Sequence, residues 1–363
     1  MASSVTEPDE GMEESIAIKE QYQKFIGRKV TFILILIPIL FVLAGLAASL
    51  GSANISMWDA YSAFLHRFFP NYFASSRLAE ICVWKLRLPR ILMGIVAGIG
   101  LGVAGCVMQG VLRNPLASPY TLGIASGAGF GASLAILAGA GFVGGQYLVI
   151  GNAFVFALVV SFIILGLSSR RGATPETMIL AGIAMMYLFT AMTMTLQYFA
   201  EAEAVKGAIF WMVGSLGRAS WQKLSIATIV VACCVPLLIL KSWDLNVMGA
   251  GDEAAKSLGV RVGRTRIITM VLASLLVAGI VCFTGTIGFV GLVAPHVCRM
   301  VIGGDNRFLI PTSGLVGAVM LVAADTAART IMAPVILPVG VMTAYLGVPL
   351  FIYLIMRRRR EYW

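Results

Sequence analysis

Charge is what this 363-residue chain has least of: only 12% of its residues are Asp, Glu, Lys or Arg. A water-soluble domain carries roughly 25%, so a soluble globular fold is excluded. Histidine is nearly absent. His66 and His296 are the only two, too few and too far apart to make a metal site. The six cysteines (Cys82, Cys106, Cys233, Cys234, Cys282, Cys298) are scattered and never spaced C-x-x-C, which supports neither a zinc site nor a disulfide framework. No Gly-Lys dipeptide occurs, so a phosphate-cradling loop of the GxxxxGK[ST] type is excluded and the chain cannot bind ATP that way. No nucleophile–base or metal-ligand cluster is evident, so catalytic and cofactor chemistry find no support. No basic stretch with interleaved aromatics marks a nucleic-acid surface either.

What is present is apolar sequence. Hydrophobic residues make up 59% of the chain, and the mean hydropathy is +0.91, placing it among polytopic helical membrane proteins. Ten spans are expected, at about 30–50, 88–112, 121–139, 147–167, 178–200, 224–240, 267–284, 287–302, 312–331 and 339–356. The eighth is short and reads as broken at Pro295-His296. The domain expectation is a cytoplasmic tail over 1–29, a ten-helix membrane domain over 30–356 and a basic end over 357–363. The tail is acidic and polar and shows no cleavage site before the first apolar run. The stretch ISMWDAYSAFLHRFF (55–69) suits an interfacial helix. Gly94, Gly98 and Gly102 stack at i, i+4 spacing, and Gly123, Gly127 and Gly131 repeat the pattern in the third span. Both stripes let a neighbouring backbone approach closely.

Ten spans put both termini on one side. Of the 27 Lys and Arg, 18 then fall inside and nine outside, which supports N-in, C-in. On the inner side lies a polar island, 243–266, whose middle reads as a short helix. Asp252 and Glu253 stand at its start, Lys256 a turn later, and Gly259 at its stop. Ala254, Ala255 and Leu258 fall on one small apolar face, and a second short turn is expected over 262–266. Such a knob suits a groove on another protein. A solvated connector whose arginines fix topology is the alternative. On the outer side, Leu86-Arg87-Leu88-Pro89-Arg90 precedes the glycine-rich span, and Arg329 sits at similar depth. These guanidinium groups suit either carboxylates on a docking partner or lipid headgroups. Asp325, the one acid near a span interior, pairs best with Arg329 one turn away. An unpaired charge there costs about 2.5–3.5 kcal/mol. His296 beside Pro295 reads as structural, and most of the 18 methionines as packing residues.

Several motifs occur together and in order: LRLPRILMGIVAGIGLGVAGCVMQGVLRNPLASPYTLGIASGAGFGA, then GDEAAKSLGV, GTIGFVGLVAPHVCRM and LPVGVMTAYLGVPLFIYLI. From the first span to about residue 357 the chain resembles the FecCD-type permeases, the ten-helix subunits of type II ABC importers. The resemblance implies two copies forming a homodimer around the path, two ABC ATPase subunits inside and one extracytoplasmic substrate-binding protein outside, in a prokaryotic cell membrane. It implies that Arg87, Arg90 and Arg329 meet acids of the binding protein. The region 251–263 (Asp252, Glu253, Ala254, Ala255, Leu258, Gly259, Val260) would dock on the ATPase. Thr174, Pro175 and Glu176 would lie near the cytoplasmic gate, with Pro175 and Glu176 standing where the family has smaller polar residues. Met185, Met192, Met194, Met342 and Thr343 are candidates for the path. The implied cargo is an iron-siderophore, haem or cobalamin, a metal chelate, although molybdate permeases look similar. An ion-coupled transporter working without an ATPase is the competing expectation, and a membrane-embedded enzyme a weaker third.

Overall fold

Small residues decide where the helices of this chain meet. The computed structural model describes residues 9–51, 55–170 and 174–357. The expected tail residues 1–8, Arg171 and the basic residues from 358 onward therefore lie outside the described part. Fifteen α-helices follow one another, with no strand among the described residues: α1 (Asp9–Ser49), α2 (Met57–His66), α3 (Arg77–Glu80), α4 (Leu88–Leu112), α5 (Ile124–Ala138), α6 (Leu148–Ser169), α7 (Pro175–Phe199), α8 (Ala202–Met212), α9 (Trp221–Leu240), α10 (Ser242–Gly249), α11 (Asp252–Ser257), α12 (Val262–Thr284), α13 (Val290–Ile302), α14 (Asn306–Thr330) and α15 (Val339–Arg357). A π-helical segment, Ile81–Arg87, joins α3 to α4.

The central helices are α4, α12 and α14. A Cβ added at Gly98 would lie 2.5 Å from Gly317 O and from the Ala318 Cα, and one at Gly102 would overlap Ser313 O. The expected stripe on α4 is thus the face pressed against α14, backbone to backbone, as the i, i+4 pattern implied. Gly105, outside that stripe, meets Gly291 of α13 with the same intimacy. In α5 the stripe works likewise, Gly127 and Gly131 lying against backbone carbonyls of Phe156 and Asn152 on α6. A polar pair between α6 and α12 is bonded, as a lipid-embedded core favours: Ser161 Oγ donates to Ser274 Oγ at 2.6 Å.

Among the described residues, seven helices are long and apolar enough to cross a membrane: Ile26–Ser49, Arg77–Leu112, Gly145–Ser169, Pro175–Phe199, Trp221–Leu240, Val262–Thr284 and Asn306–Thr330. Ile124–Ala138, Val290–Ile302 and Val339–Tyr353 are apolar but shorter. The shortening of α5 has a local cause, since left-handed glycines, Gly123 (φ 74°) and Gly139 (φ 61°), bound it at both ends.

Two expectations need correcting. Pro295 does not break the eighth apolar run: α13 continues through it to Ile302. A proline removes a single backbone donor, and one such loss inside a tightly packed helix is tolerated. The turn expected over 262–266 is the first part of α12 itself, since no helix breaker other than one glycine separates it from the apolar run. Helix α1 runs from Asp9 through the tail into the first span, and its part long and apolar enough to cross a membrane is Ile26–Ser49.

The close approach predicts a contrast within one helix. Gly98→Val should lower stability by about 1–3 kcal/mol, because the α14 backbone cannot move aside cheaply. Gly110→Ala, whose added Cβ would find its nearest neighbour at 3.7 Å, should change it by less than about 1 kcal/mol. Thermal midpoints of the two purified variants measure this, and equal losses would contradict the packing argument.

Candidate functional site

Two polar clusters lie at the two ends of α4, separated by its 25 residues, about 37 Å at helical rise. The first forms around the start of α4. Arg87 Nη1 donates to Ala48 O at 2.7 Å and Ser49 O at 3.0 Å. Arg329 Nη2 and Nη1 donate to Ala47 O (3.1 Å) and Leu50 O (3.0 Å). Both guanidinium groups thereby close the carbonyl end of α1, where unsatisfied acceptors and the negative end of the helix dipole converge. Asp325 on α14, only 2% exposed, is held from two sides. Arg90 donates to it from Nε (2.9 and 3.0 Å) and Nη2 (2.8 Å), and Arg329 Nε from 3.1 Å. The i, i+4 pair of Asp325 with Arg329 stands as expected. The pairing with Arg90 was not legible, because 235 residues separate the partners. The structure thus brings Arg87, Arg90 and Arg329 together, as anticipated, but turned inward: Arg87 and Arg329 are each 5% exposed.

The second cluster surrounds the knob built from α10 and α11. Asp252, at the start of α11, accepts from Arg113 Nη2 (2.8 Å) at the end of α4 and from Arg266 Nη2 (2.9 Å) on α12. Glu253 pairs with Lys256 Nζ at 2.8 Å. Helix α11 ends as Gly259 predicted. Gly259 adopts φ 83°, its N–H reaches Lys256 O, and Val260 N–H reaches Ala255 O at 2.9 Å, a reverse pair of bonds typical of a glycine stop. The apolar trio does not share one face, however. Ala255 is fully buried, whereas Ala254 and Leu258 point outward, and Leu258 is 72% exposed. A six-residue helix offers only one inward position per turn, and Ala255 takes it.

Helix α10 is tied separately. Asn246 Oδ1 accepts from Asn306 N (2.7 Å) and Nδ2 (2.9 Å), and Asn246 Nδ2 donates to Asp305 Oδ1 at 2.8 Å. Asp305 also accepts from Arg307 Nε at 3.0 Å and lies 3.8 Å from Lys29 Nζ on α1. Burial pushes the Asp305 carboxyl upward, but the hydrogen bonds from Arg307 and Asn246 prevail and hold it at about 2. Its contribution to stability is therefore complete above the ordinary carboxylate value of 3.8 and is lost as pH falls from there through about 2. No local spacing signals this hub of short polar side chains, since Asn246 and Asn306 lie 60 residues apart.

The remaining candidates are dispersed. Thr174 is the N-cap of α7, its Oγ1 accepting from Thr177 N at 3.3 Å. Pro175 takes the first helical position and Glu176 the exposed first turn, an ordinary helix start. Met185 is half-buried and Met192 and Met194 are exposed on α7, while Met342 and Thr343 of α15 are buried within the chain. Thr343 Oγ1 donates to Gly340 O. Both α7 and α15 present large apolar side chains outward, among them Tyr187, Tyr198, Tyr345 and Ile352.

Asp325→Asn should cost about 3–5 kcal/mol of stability, since it leaves two buried guanidinium groups without their counter-charge. A large fall in the detergent-solution thermal midpoint checks this. An unchanged midpoint would mean the buried arrangement is not formed.

With this geometry in view, comparison with known proteins is informative. The model of the FecCD transport family matches residues 36–357. A protein named as an ABC transporter permease in Methanocaldococcus jannaschii is 44% identical over 94% of this chain and 98% of its own length. The hemin transport system permease HmuU of Yersinia pestis is 38% identical over 91% of this chain and 96% of its own. A solved inward-facing conformation of a metal-chelate type ABC transporter superposes with a TM-score of 0.80 at 29% identity, covering 90% of this chain and 99% of that one. This multi-pass membrane chain belongs to the FecCD transport family.

Proposed function

We propose that the chain is the permease subunit of an ATP-driven importer that carries a metal chelate of the iron-siderophore, haem or cobalamin kind. In this reading α5, α13 and α15 cross the membrane with the seven longer helices, giving ten spans with both termini and the knob on the cytoplasmic side. A helix of 13 residues is about 20 Å long and falls short of the hydrocarbon thickness. It crosses because protein surrounds it and, in part, a water-filled path. Two copies pair through the outward apolar faces of α7 and α15, two ABC ATPase subunits take the knobs, and an extracytoplasmic binding protein delivers cargo to the Arg87–Arg90–Arg329 face. No catalysis occurs on this chain; ATP is hydrolysed by the partner.

The observation that carries the reading is the anchorage of the knob. Leu258 stands exposed on an element that is bonded through Asp252 to α4 and α12 and, through neighbouring α10 and Asn246, to α14. A connector that only links two spans needs no such bonds. A lever does, because force applied at Leu258 reaches three central helices through short charged contacts. ATP binding closes the ATPases, their grooves move the knobs, and the glycine-packed helices tilt as rigid bodies between two access states. The ion-coupled alternative is disfavoured by Asp325. Both of its carboxylate oxygens are already taken by Arg90 and Arg329, which gives it a fixed structural role.

Leu258→Asp should weaken ATPase binding by tenfold or more, on the order of a lost interface anchor, while leaving the thermal midpoint of the isolated chain unchanged. Co-purification and midpoint are the two measurements. Retained ATPase would sink the coupling assignment, and gradient-driven uptake by the chain alone in vesicles would sink the whole reading. Arg87→Gln with Arg90→Gln should weaken binding-protein affinity. Because the same groups hold α1 and α14, the midpoint must be followed in parallel. Lost transport with unaltered affinity for the binding protein would remove their docking role.

A further inference from the structure

The stretch expected to lie at a membrane interface contains α2, and a cavity of about 830 Å³ opens between that helix, the π-helical segment and the start of α9. Its floor is aromatic and fixed. Trp84 stacks on Phe64 (ring centroids 5.5 Å apart, 7° between planes) and on Trp221 (6.2 Å, 28°). Both indole N–H groups are already bonded, Trp84 Nε1 to Ala63 O at 3.0 Å and Trp221 Nε1 to Trp84 O at 2.9 Å. Neither ring needs a polar ligand. The rim is cationic. Arg67 lies over the Trp84 ring, 4.9 Å from its centroid, and Lys85 lines the same space. Both are exposed, and neither pairs with a carboxylate among the described residues. Glu80, the acid on this wall, faces His66 Nε2 at 3.4 Å.

Depth and surroundings decide what fills this space. Arg87 ends the π-helical segment and closes the carbonyl end of α1 at Ser49. Trp84 and Lys85 therefore sit within about one helical turn of the end of the first membrane-crossing helix, which is headgroup level. Around the mouth, Trp58, Tyr61, Phe68, Phe69 and Tyr72 are exposed. Aromatics in such number are costly in water and suit the membrane boundary. The anion abundant at that depth is the phosphate of a lipid, and two cations above an apolar floor complement it. Arg67 and Lys85 against Glu80 leave one positive charge in excess on the wall, which one phosphodiester neutralises. We propose that this cavity binds the headgroup of an anionic glycerophospholipid, its phosphate between Arg67 and Lys85 and its acyl chains along the outward aromatics of α2. The site requires only a chain embedded in a membrane and is independent of cargo and of the ATPase.

The test titrates the full chain, stripped of lipid in detergent, with phosphatidylglycerol or with phosphatidylcholine of the same acyl chains, and counts retained lipid by native mass spectrometry. Phosphatidylcholine carries the same phosphate but brings its own cation to the rim. The native chain should hold phosphatidylglycerol about tenfold more tightly, as expected for two cations at a headgroup. Arg67→Gln with Lys85→Gln should bring that ratio close to one without moving the thermal midpoint of the lipid-free chain, because both side chains are exposed. Lys206→Gln, an exposed control on α8, should leave the ratio intact. Equal affinity of the native chain for the two lipids, or a ratio untouched by the double variant, overturns the proposal. So does displacement of the lipid by an equal concentration of glycerophosphoglycerol, since the ligand would then be a free phosphodiester. Loss of binding-protein affinity in the double variant with the lipid ratio preserved would assign the rim to a protein partner and overturns it as well.

Discussion

The contact between α4 and α14 is the constraint on which both ends of this molecule depend. Gly98 and Gly102 bring the two backbones together, and no side chain intervenes to let them slide. At one end that closeness places Arg90 on Asp325. At the other it places the end of α4 beside Asn306 and Asp305, the residues that receive α10. A pair of helices in backbone contact behaves as one rod, so polar chemistry at either end is mechanically joined across about 37 Å.

Around that rod the polar residues fall into two kinds. Most are bonded as a low-dielectric interior requires: Asp325 between two arginines, Asp252 between Arg113 and Arg266, Asn246 against Asn306. A few are left with capacity to spare. Arg218, whose Nε has no hydrogen-bond partner, is one of them. In a chain this poor in charge, groups left unsatisfied against so thorough a background of pairing are where partners and ligands are to be sought.

The inward turn of Arg87, Arg90 and Arg329 alters how the face opposite the knob is understood. Sequence offered two fates for them, docking to acids or snorkelling to lipid, both outward-facing. The structure gives them a third occupation, closing the carbonyl end of α1 and clamping α14. The docking role proposed for them competes with bonds that already hold the fold together. An approaching carboxylate would have to draw them from α1, and binding at this face would then loosen the seating of that helix.

What the sequence determined by itself was whatever depends on neighbours a few residues apart. The glycine stripe of α4, the stop at Gly259 and the Asp325–Arg329 pair are all set by spacings of one helical turn, and all are found. Helix ends were less legible: Pro295 looked like a break and residues 262–266 like a separate turn, because local propensity does not register the packing that carries a helix past a weak point. Tertiary structure alone decided which acids and amides meet across long separations. Arg90 with Asp325, Arg113 with Asp252 and Asn246 with Asn306 are joined by the meeting of α4, α10, α11 and α14, and no periodicity records a crossing. It also decided that Ala255 is covered while Leu258 is not, since exposure depends on where the neighbouring helices end.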